Sequence, residues 1–175
     1  MNSKFFDLKK EKQDRMINAA LKVFAVQGYR HGSTDDIVRE AAVSKGLLFD
    51  YFGSKLGVYR FVYDYSVKYM NLEMRSVVDP KETDLFLVIK QIERARMHAM
   101  RGYPFMQQFL NRSQSEDCYE ALLSVEEKTN ALEEACSAID AQIDYDALPE
   151  GTDGRKLRKM LDFTIRGLMT ERFQD

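Results

Sequence analysis

Ser33-Thr34-Asp35-Asp36-Ile37-Val38-Arg39-Glu40-Ala41-Ala42-Val43-Ser44-Lys45-Gly46-Leu47-Leu48-Phe49-Asp50-Tyr51-Phe52-Gly53-Ser54-Lys55 reads as two short helices joined by a tight turn. Ser33 or Thr34 supplies an N-cap for the first helix. Asp35 and Asp36 then fall in its opening turn, where carboxylates suit the positive end of the helix dipole. Ile37 and Ala41 are four apart and share one buried face. The turn Ala42-Val43-Ser44 uses small residues, so the two helices can approach closely, and Ser44 caps a second helix from Lys45 to near Phe52. Leu48 and Phe52 point inward, which leaves Lys45, Gly46, Leu47, Asp50 and Tyr51 facing outward. Eight residues at about 1.5 Å rise make a rod about 12 Å long, the size of element that a DNA major groove admits.

Upstream of the hairpin, Met16, Ile17, Ala20, Val23 and Phe24 recur on one side of a helix expected from about Lys10 to Gln27, with Gly28 as its C-terminal cap. Met1 to Leu8 reads as a mobile arm, made basic by Lys4 and the neighbouring Lys9, Lys10 and Lys12: either a solvated tail or a strap along phosphates. Downstream, Ser54 caps a long helix from Lys55 to about Val77 with a wide apolar stripe (Val58, Phe61, Val62, Tyr65, Tyr69, Leu72). Within it Gly57 weakens helix by about 1 kcal/mol relative to alanine, which predicts a soft hinge. Asp79-Pro80-Lys81-Glu82 carries the residues of a helix start, predicting a fifth helix from there to about Arg101. Pro104 opens a short sixth helix to about Asn111. Ser113-Gln114-Ser115-Glu116 has the spacing of a capping box for a seventh, running to about Ile143. A loop over residues 149–154 precedes an eighth. The fold class is therefore all-α: a three-helix helix-turn-helix unit over residues 1–54 and a helical bundle over residues 55–175.

The 175 residues, 45% of them apolar, suffice for a real core. No run approaches the length of a transmembrane segment and the first twelve residues lack a signal-peptide core, so a soluble, cytoplasmic protein is expected. Cys118 and Cys136 are too few for a disulfide scaffold and read as free thiols. The net charge of −2 hides an asymmetry. Residues 1–55 carry 10 Lys and Arg against 7 Asp and Glu (+3), and residues 56–175 carry 16 against 21 (−5). No phosphate-binding glycine loop, nucleophile elbow or paired Cys-x-x-Cys occurs. With His31 and His98 the only histidines, neither near a cysteine at ligand spacing, no metal, cofactor or enzymatic chemistry is expected. Binding is what remains.

Gly28-Tyr29, Ser33-Thr34, Asp36-Ile37, Ala41, Val43-Ser44-Lys45-Gly46, Leu48, Tyr51-Phe52 and Ser54-Lys55 resemble, at matching spacing, the N-terminal helix-turn-helix signature of the TetR family of transcriptional regulators. The resemblance covers about the first 55 to 60 residues. It implies a homodimeric, ligand-responsive regulator, most simply a repressor of double-stranded operator DNA, with a divergent all-helical effector domain. A helical adaptor that binds protein through the hairpin is the alternative. The DNA-facing residues it points to are Ser33, Thr34, Ser44, Lys45, Gly46, Leu47, Phe49, Asp50, Tyr51 and Lys55, with Lys55 at a position that reaches phosphate in the family. Leu47 stands where threonine is common and Phe49 where tyrosine is. Asp50, unusual beside a polyanion, either accepts from cytosine N4 or turns away to pair with a nearby base. Leu56 and Gly57 follow Lys55 where the family has an acid.

A concentration of methionine and aromatic residues beyond one stripe per helix predicts a pocket for a small apolar or aromatic effector. Its candidate lining is Tyr65, Tyr69, Phe86, Ile89, Met97, Met100, Tyr103, Phe105, Met106, Phe109, Cys118, Tyr119 and Leu122. A dimer interface is expected on the last two helices, from Leu132, Cys136, Ile139, Leu157, Leu161, Thr164, Ile165 and Leu168. Arg155, Lys156, Arg158 and Lys159 crowd the start of the last helix, where cations oppose the dipole. Either they pair with Asp144, Asp146 or Glu150, or they form a solvated basic turn.

Overall fold

The structure, a computed structural model, describes residues 3–172, with the side chains of all of these but Ser3, Leu132 and residues 170–172. Among the described residues there are eight α-helices and no strand: α1 (Lys10–His31), α2 (Thr34–Ala41), α3 (Lys45–Phe52), α4 (Lys55–Val77), α5 (Leu85–Gly102), α6 (Met106–Ser113), α7 (Tyr119–Ala141) and α8 (Gly154–Arg172). The all-α reading holds. Helix α4 runs through the middle, packed against α1, α5 and α7, while α1 also packs against α2 and α6. Of the expected α4 stripe Val58, Phe61 and Val62 are buried, Tyr65 and Tyr69 are half-buried and Leu72 faces solvent, while Tyr59, Val67 and Met70 complete the buried face. Tyr59 is the hub of the aromatic core, 5.2 Å from Phe24, 5.1 Å from Tyr29 and 5.5 Å from Phe109 between ring centroids.

Several boundaries differ from the sequence reading, each for a non-local reason. Gly28 is left-handed (φ 72°) as a C-cap requires, but the chain then resumes a last turn to His31, closed by the Gly32 N–H donating to the Gly28 carbonyl at 3.0 Å. Residues 79–84 form a turn instead of the first turn of α5. Asp79 and Glu82 accept from backbone N–H groups at Lys81, Thr83 and Asp84. The Gln142 side-chain amide, at the far end of α7, donates to the Asp79 and Glu82 carbonyls, and the Asp144 N–H donates to Thr83. These bonds hold the segment out of the helix, and Asp84 caps α5 in place of Asp79. The expected capping box at Ser113 does not form either. Ser113 closes α6 by donating to the Phe109 carbonyl, and Glu116 is drawn to α1.

The expected mobile arm is a 3-10 turn (Ser3–Asp7) with Phe5 fully buried. Its ring meets Tyr51, Phe52 and Phe61 at 5.7, 5.2 and 5.0 Å, and Gln13 donates to the Phe6 and Leu8 carbonyls. An apolar side chain of that size gains about 1.5–3 kcal/mol on burial, which offsets part of the cost of ordering the turn, and the Gln13 bonds add to it.

Candidate nucleic-acid interface

Three serines set the geometry of the hairpin. Ser33, Ser44 and Ser54 each accept, through the hydroxyl, the backbone N–H three residues on, at Asp36, Leu47 and Gly57 (3.0, 3.2 and 3.0 Å). Ser33 also donates to the Asp36 carboxylate, and that bond, with help from Arg39, holds the Asp36 carboxyl below its ordinary pKa. Ala42 turns the chain in a left-handed conformation (φ 52°) between α2 and α3. Ile37, Ala41, Leu48 and Phe52 are buried, so the two helices share one core and α3 cannot roll on its support.

What α3 leaves outside is Lys45, Gly46 and Asp50, with Ser44 exposed at its cap, and Leu47 and Phe49 half-buried. Lys45 lies 2.8 Å from Asp35 of α2, a surface pair that phosphate can displace at little cost. Nothing within 4 Å of Gly46 occupies the space a Cβ would take. Ser33 and Thr34 are half-buried at the α2 cap. Lys55, at the first turn of α4, donates to the Arg30 carbonyl at 3.2 Å and lies 4.6 Å above the Tyr29 ring.

Tyr51 departs from the reading. It is 8% exposed, because Phe5 lies over its ring, and so its side chain backs α3 rather than facing outward. The signal that could have found this was the Phe5-Phe6 pair in an otherwise polar arm. The expected softness at Gly57 is also wrong in kind. A Cβ there would lie 1.8 Å from the Phe52 carbonyl oxygen, so the glycine admits a close approach of the α3 end to α4.

The residues expected to line an effector pocket differ widely in burial. Ile89, Met106 and Phe109 are packed core, and Met100, Phe105 and Cys118 are half-buried. Phe86, Met97, Tyr119 and Leu122 point to solvent, because the spacing that marks a helix face recurs on its far side too. Tyr65, Tyr69 and Tyr103 form a polar tie instead. The Tyr65 hydroxyl lies 2.5 Å from that of Tyr103, which donates to Asp14 at 2.7 Å and accepts from Lys10 at 3.1 Å, while Tyr69 stacks on Tyr65. Burial, then these bonds, push the Tyr103 hydroxyl pKa far up, so it stays a donor. Two open clefts among the described residues, of about 860 and 510 Å³, are lined by none of these thirteen. The larger lies between the end of α1, α6, the α6–α7 loop and α8, bounded by Gln27, Gln107, Asn111, Arg112 and Glu116 among others. On its wall Glu116 accepts the Tyr29 N–H at 2.7 Å and Asp117 pairs with Arg30 at 3.2 Å.

The expected dimer stripe divides in two. Leu157, Leu161 and Ile165 turn inward against the core, and Cys136 and Ile139 are half-buried on α7, while Thr164 and Leu168 are exposed. The Leu132 side chain lies outside the described ones. Sequence reasoning missed Met160 and Phe163, which are 65% and 61% exposed and share the outer face with Thr164 and Leu168. The signal was a second 3–4 period on α8, offset from the first.

Residues 16–60 match the sequence model described as bacterial regulatory proteins, tetR family. The chain is similar to the uncharacterized HTH-type transcriptional regulator YuxN of Bacillus subtilis (strain 168), 41% identical over 59 residues, 31% of this chain and 20% of that protein. It is also similar to the HTH-type transcriptional regulator HbdR of Aromatoleum sp. (strain CIB), 46% identical over 48 residues, 27% of this chain and 21% of that one. The match thus spans about a fifth of the length of these relatives. Over the whole fold, the transcriptional regulator FadR from Bacillus subtilis in complex with stearoyl-CoA superposes with a TM-score of 0.60 at 20% identity, covering 91% of this chain and 86% of that chain. That likeness establishes the fold.

Proposed function

We propose that this chain, a tetR-family protein by its residues 16–60, is a DNA-binding transcriptional regulator that reads an operator as a homodimer through α3. The observation that carries the reading is the exposed N-terminal half of α3, with Lys45, Gly46 and the Ser44 cap outward over a core shared with α2. The open face at Gly46 lets backbone approach backbone, and the α4 N-terminus beside Lys55 is suited to a phosphate. Leu47 and Phe49 offer apolar contact to a thymine methyl. The modest +3 of the first 55 residues makes two copies acting together necessary for useful affinity. The outer face of α8, centred on Met160, Phe163 and Leu168, is the surface we assign to the second copy, and two α3 helices about 34 Å apart would meet successive major grooves.

We place the division between the DNA-binding unit and the effector-binding unit at Ser54. The fold neighbour crystallised with stearoyl-CoA supports a small-molecule effector; its binding beyond that point, and release of DNA as the response, are part of the proposal. The test is fluorescence anisotropy against DNA from the regulator's own flanking region, titrated over salt. Lys45→Ala is expected to reduce the slope of log Kd on log salt by about one per protomer. An unchanged slope would remove Lys45 from the interface, and salt-independent binding would remove the DNA reading itself.

A further inference from the structure

The smaller cleft is bounded by α5, α7 and α8, and among the described residues that line it cations outnumber carboxylates. Arg96, Arg155, Arg158, Lys159 and Arg166 line it against Asp140 and Asp162. One carboxylate, Asp162, serves three guanidinium groups, at 3.7 Å from Arg96, 3.9 Å from Arg158 and 2.8 Å from Arg166. Arg158 also reaches Asp140 at 3.0 Å, and Arg96 reaches Glu93 at 2.5 Å. Arg96 is more than nine-tenths buried, and its Nε–H has no acceptor among the described residues. Glu93 answers one arm of that guanidinium, and the unused Nε–H of a buried group carries a desolvation cost that a further anion would offset. Arg155, Lys156, Arg158 and Lys159 add a second observation: four cations crowd the start of α8, where the helix dipole disfavours them, and Asp153 before it accepts the Lys156 N–H at 3.0 Å and pairs with Lys156 alone. Lys156 is satisfied by Asp153, and Arg158 by Asp140; Arg155 and Lys159 edge the cleft. The α8 start is held in place, since a Cβ on Gly154 would come within 2.5 Å of Tyr145.

We propose that this cleft binds a phosphate group, as free phosphate or as part of a small phosphorylated molecule. The excess of cations suits a dianion better than a single carboxylate, and guanidinium forks match phosphate oxygens in pairs. A volume of about 510 Å³ leaves room for an organic portion beside the phosphate. The site rests on the α5–α7–α8 charges alone and stands whether or not the hairpin binds DNA.

The experiment measures binding of inorganic phosphate, pyrophosphate, glucose 6-phosphate and glucose to the full chain, by calorimetry and thermal melting at ionic strength matched with sodium chloride. Phosphate-bearing probes are expected to raise Tm above the chloride control, and glucose is not. Tightest binding by the two inorganic ions assigns the site to free phosphate, and tightest binding by the sugar phosphate assigns it to a phosphorylated metabolite. Either result supports the site. The double variant Arg155→Ala/Lys159→Ala, altered only at exposed side chains, is expected to weaken binding at least about tenfold. Arg158→Lys, which keeps the charge and loses the fork, should weaken it as well. No rise beyond chloride with any phosphate probe, or binding undiminished in the double variant, overturns the proposal. So does a loss of DNA affinity in that variant with no phosphate effect, which would make the basic turn a DNA contact.

Discussion

Replacing Gly57 by alanine sets two effects of opposite sign against each other. Position 57 lies inside α4 with an ordinary helical backbone, where alanine stabilises by about 1 kcal/mol over glycine. Against this, the added Cβ would lie 1.8 Å from the Phe52 carbonyl oxygen and 3.0 Å from its carbon. The oxygen would have to retreat by more than about 1 Å to reach even the shortest contact tolerated in packed proteins. It cannot rotate away, being backbone at the end of α3, and Phe52 is buried against Phe5 and Phe61. Overpacking of this kind costs typically about 1–3 kcal/mol, and a rigid backbone partner places it at the upper end. The net expectation is a loss of about 2 kcal/mol, or about 4–8 °C in Tm for a chain of this length. Thermal melting by circular dichroism reads the stability, and DNA anisotropy reads the displaced α3. A Tm that rises, as propensity alone requires, would show that the α3–α4 junction yields and that the close approach does not constrain it.

Phe5→Ala should destabilise the chain by about 3 kcal/mol in urea unfolding and weaken DNA binding, since it uncovers Tyr51 beneath α3. A cost under about 1 kcal/mol would return the arm to a loose tail. Glu116→Ala leaves the Tyr29 N–H without its acceptor and should cost about 1–3 kcal/mol, with Glu116→Gln recovering most of it because an amide oxygen also accepts; equal losses in the two variants would point to the charge instead. Tyr59 titrates at about 12 because burial disfavours its phenolate, while the unfolded residue ionises near 10. Its contribution is therefore whole below about pH 10 and lost as pH rises through about 12, since the unfolded chain alone releases the proton in that window. Tyr59→Phe should lose less stability between pH 9 and 12 than the wild-type chain, and parallel pH profiles would remove Tyr59 from the alkaline transition.

The hairpin was legible because its determinants are local. Each of the three capping serines acts on an N–H three residues on, so the caps can be read in a four-residue window. The long apolar periods of α1 and α4 were legible for the same reason. What escaped depends on partners far along the chain. Phe5 meets Tyr51 and Phe61, Glu116 meets Tyr29, and Gln142 meets Asp79, and none of these pairs leaves a spacing to find. The start signal at Asp79-Pro80 was chemically sound and lost to the tertiary bonds from residues 142 and 144. That none of the expected effector-lining residues borders either cleft has a different reason. Aromatic and methionine residues mark burial, and burial by itself does not distinguish a packed core from a cavity wall.

Glu116–Tyr29 belongs to a set of long-range pairs that fastens both ends of α1. Near its start, Lys10 and Asp14 meet the Tyr103 hydroxyl, and Asn18 donates to the Gly102 carbonyl. At its far end, Glu116 takes the Tyr29 N–H and Asp117 takes Arg30, while Lys55 donates to the Arg30 carbonyl. The Gly28 kink is what frees the Tyr29 N–H for Glu116 by interrupting the helix there. Helix α1 in turn backs α2 and, through Lys22–Glu40, pairs with it at 2.6 Å. A ligand that reorients the hairpin must therefore favour a state in which one of these fastenings has let go, and the first to yield is the exposed one. Arg30 and Asp117 are both mostly solvated, so their pair contributes about 1 kcal/mol at most, whereas the Tyr103 cluster is half-buried and holds three polar groups at once. The α6–α7 loop carries Glu116 and Asp117 and walls the larger cleft. On our proposal of an effector, a ligand seated there would act on these two fastenings, and a differential binding of a few kcal/mol would suffice to shift the hairpin.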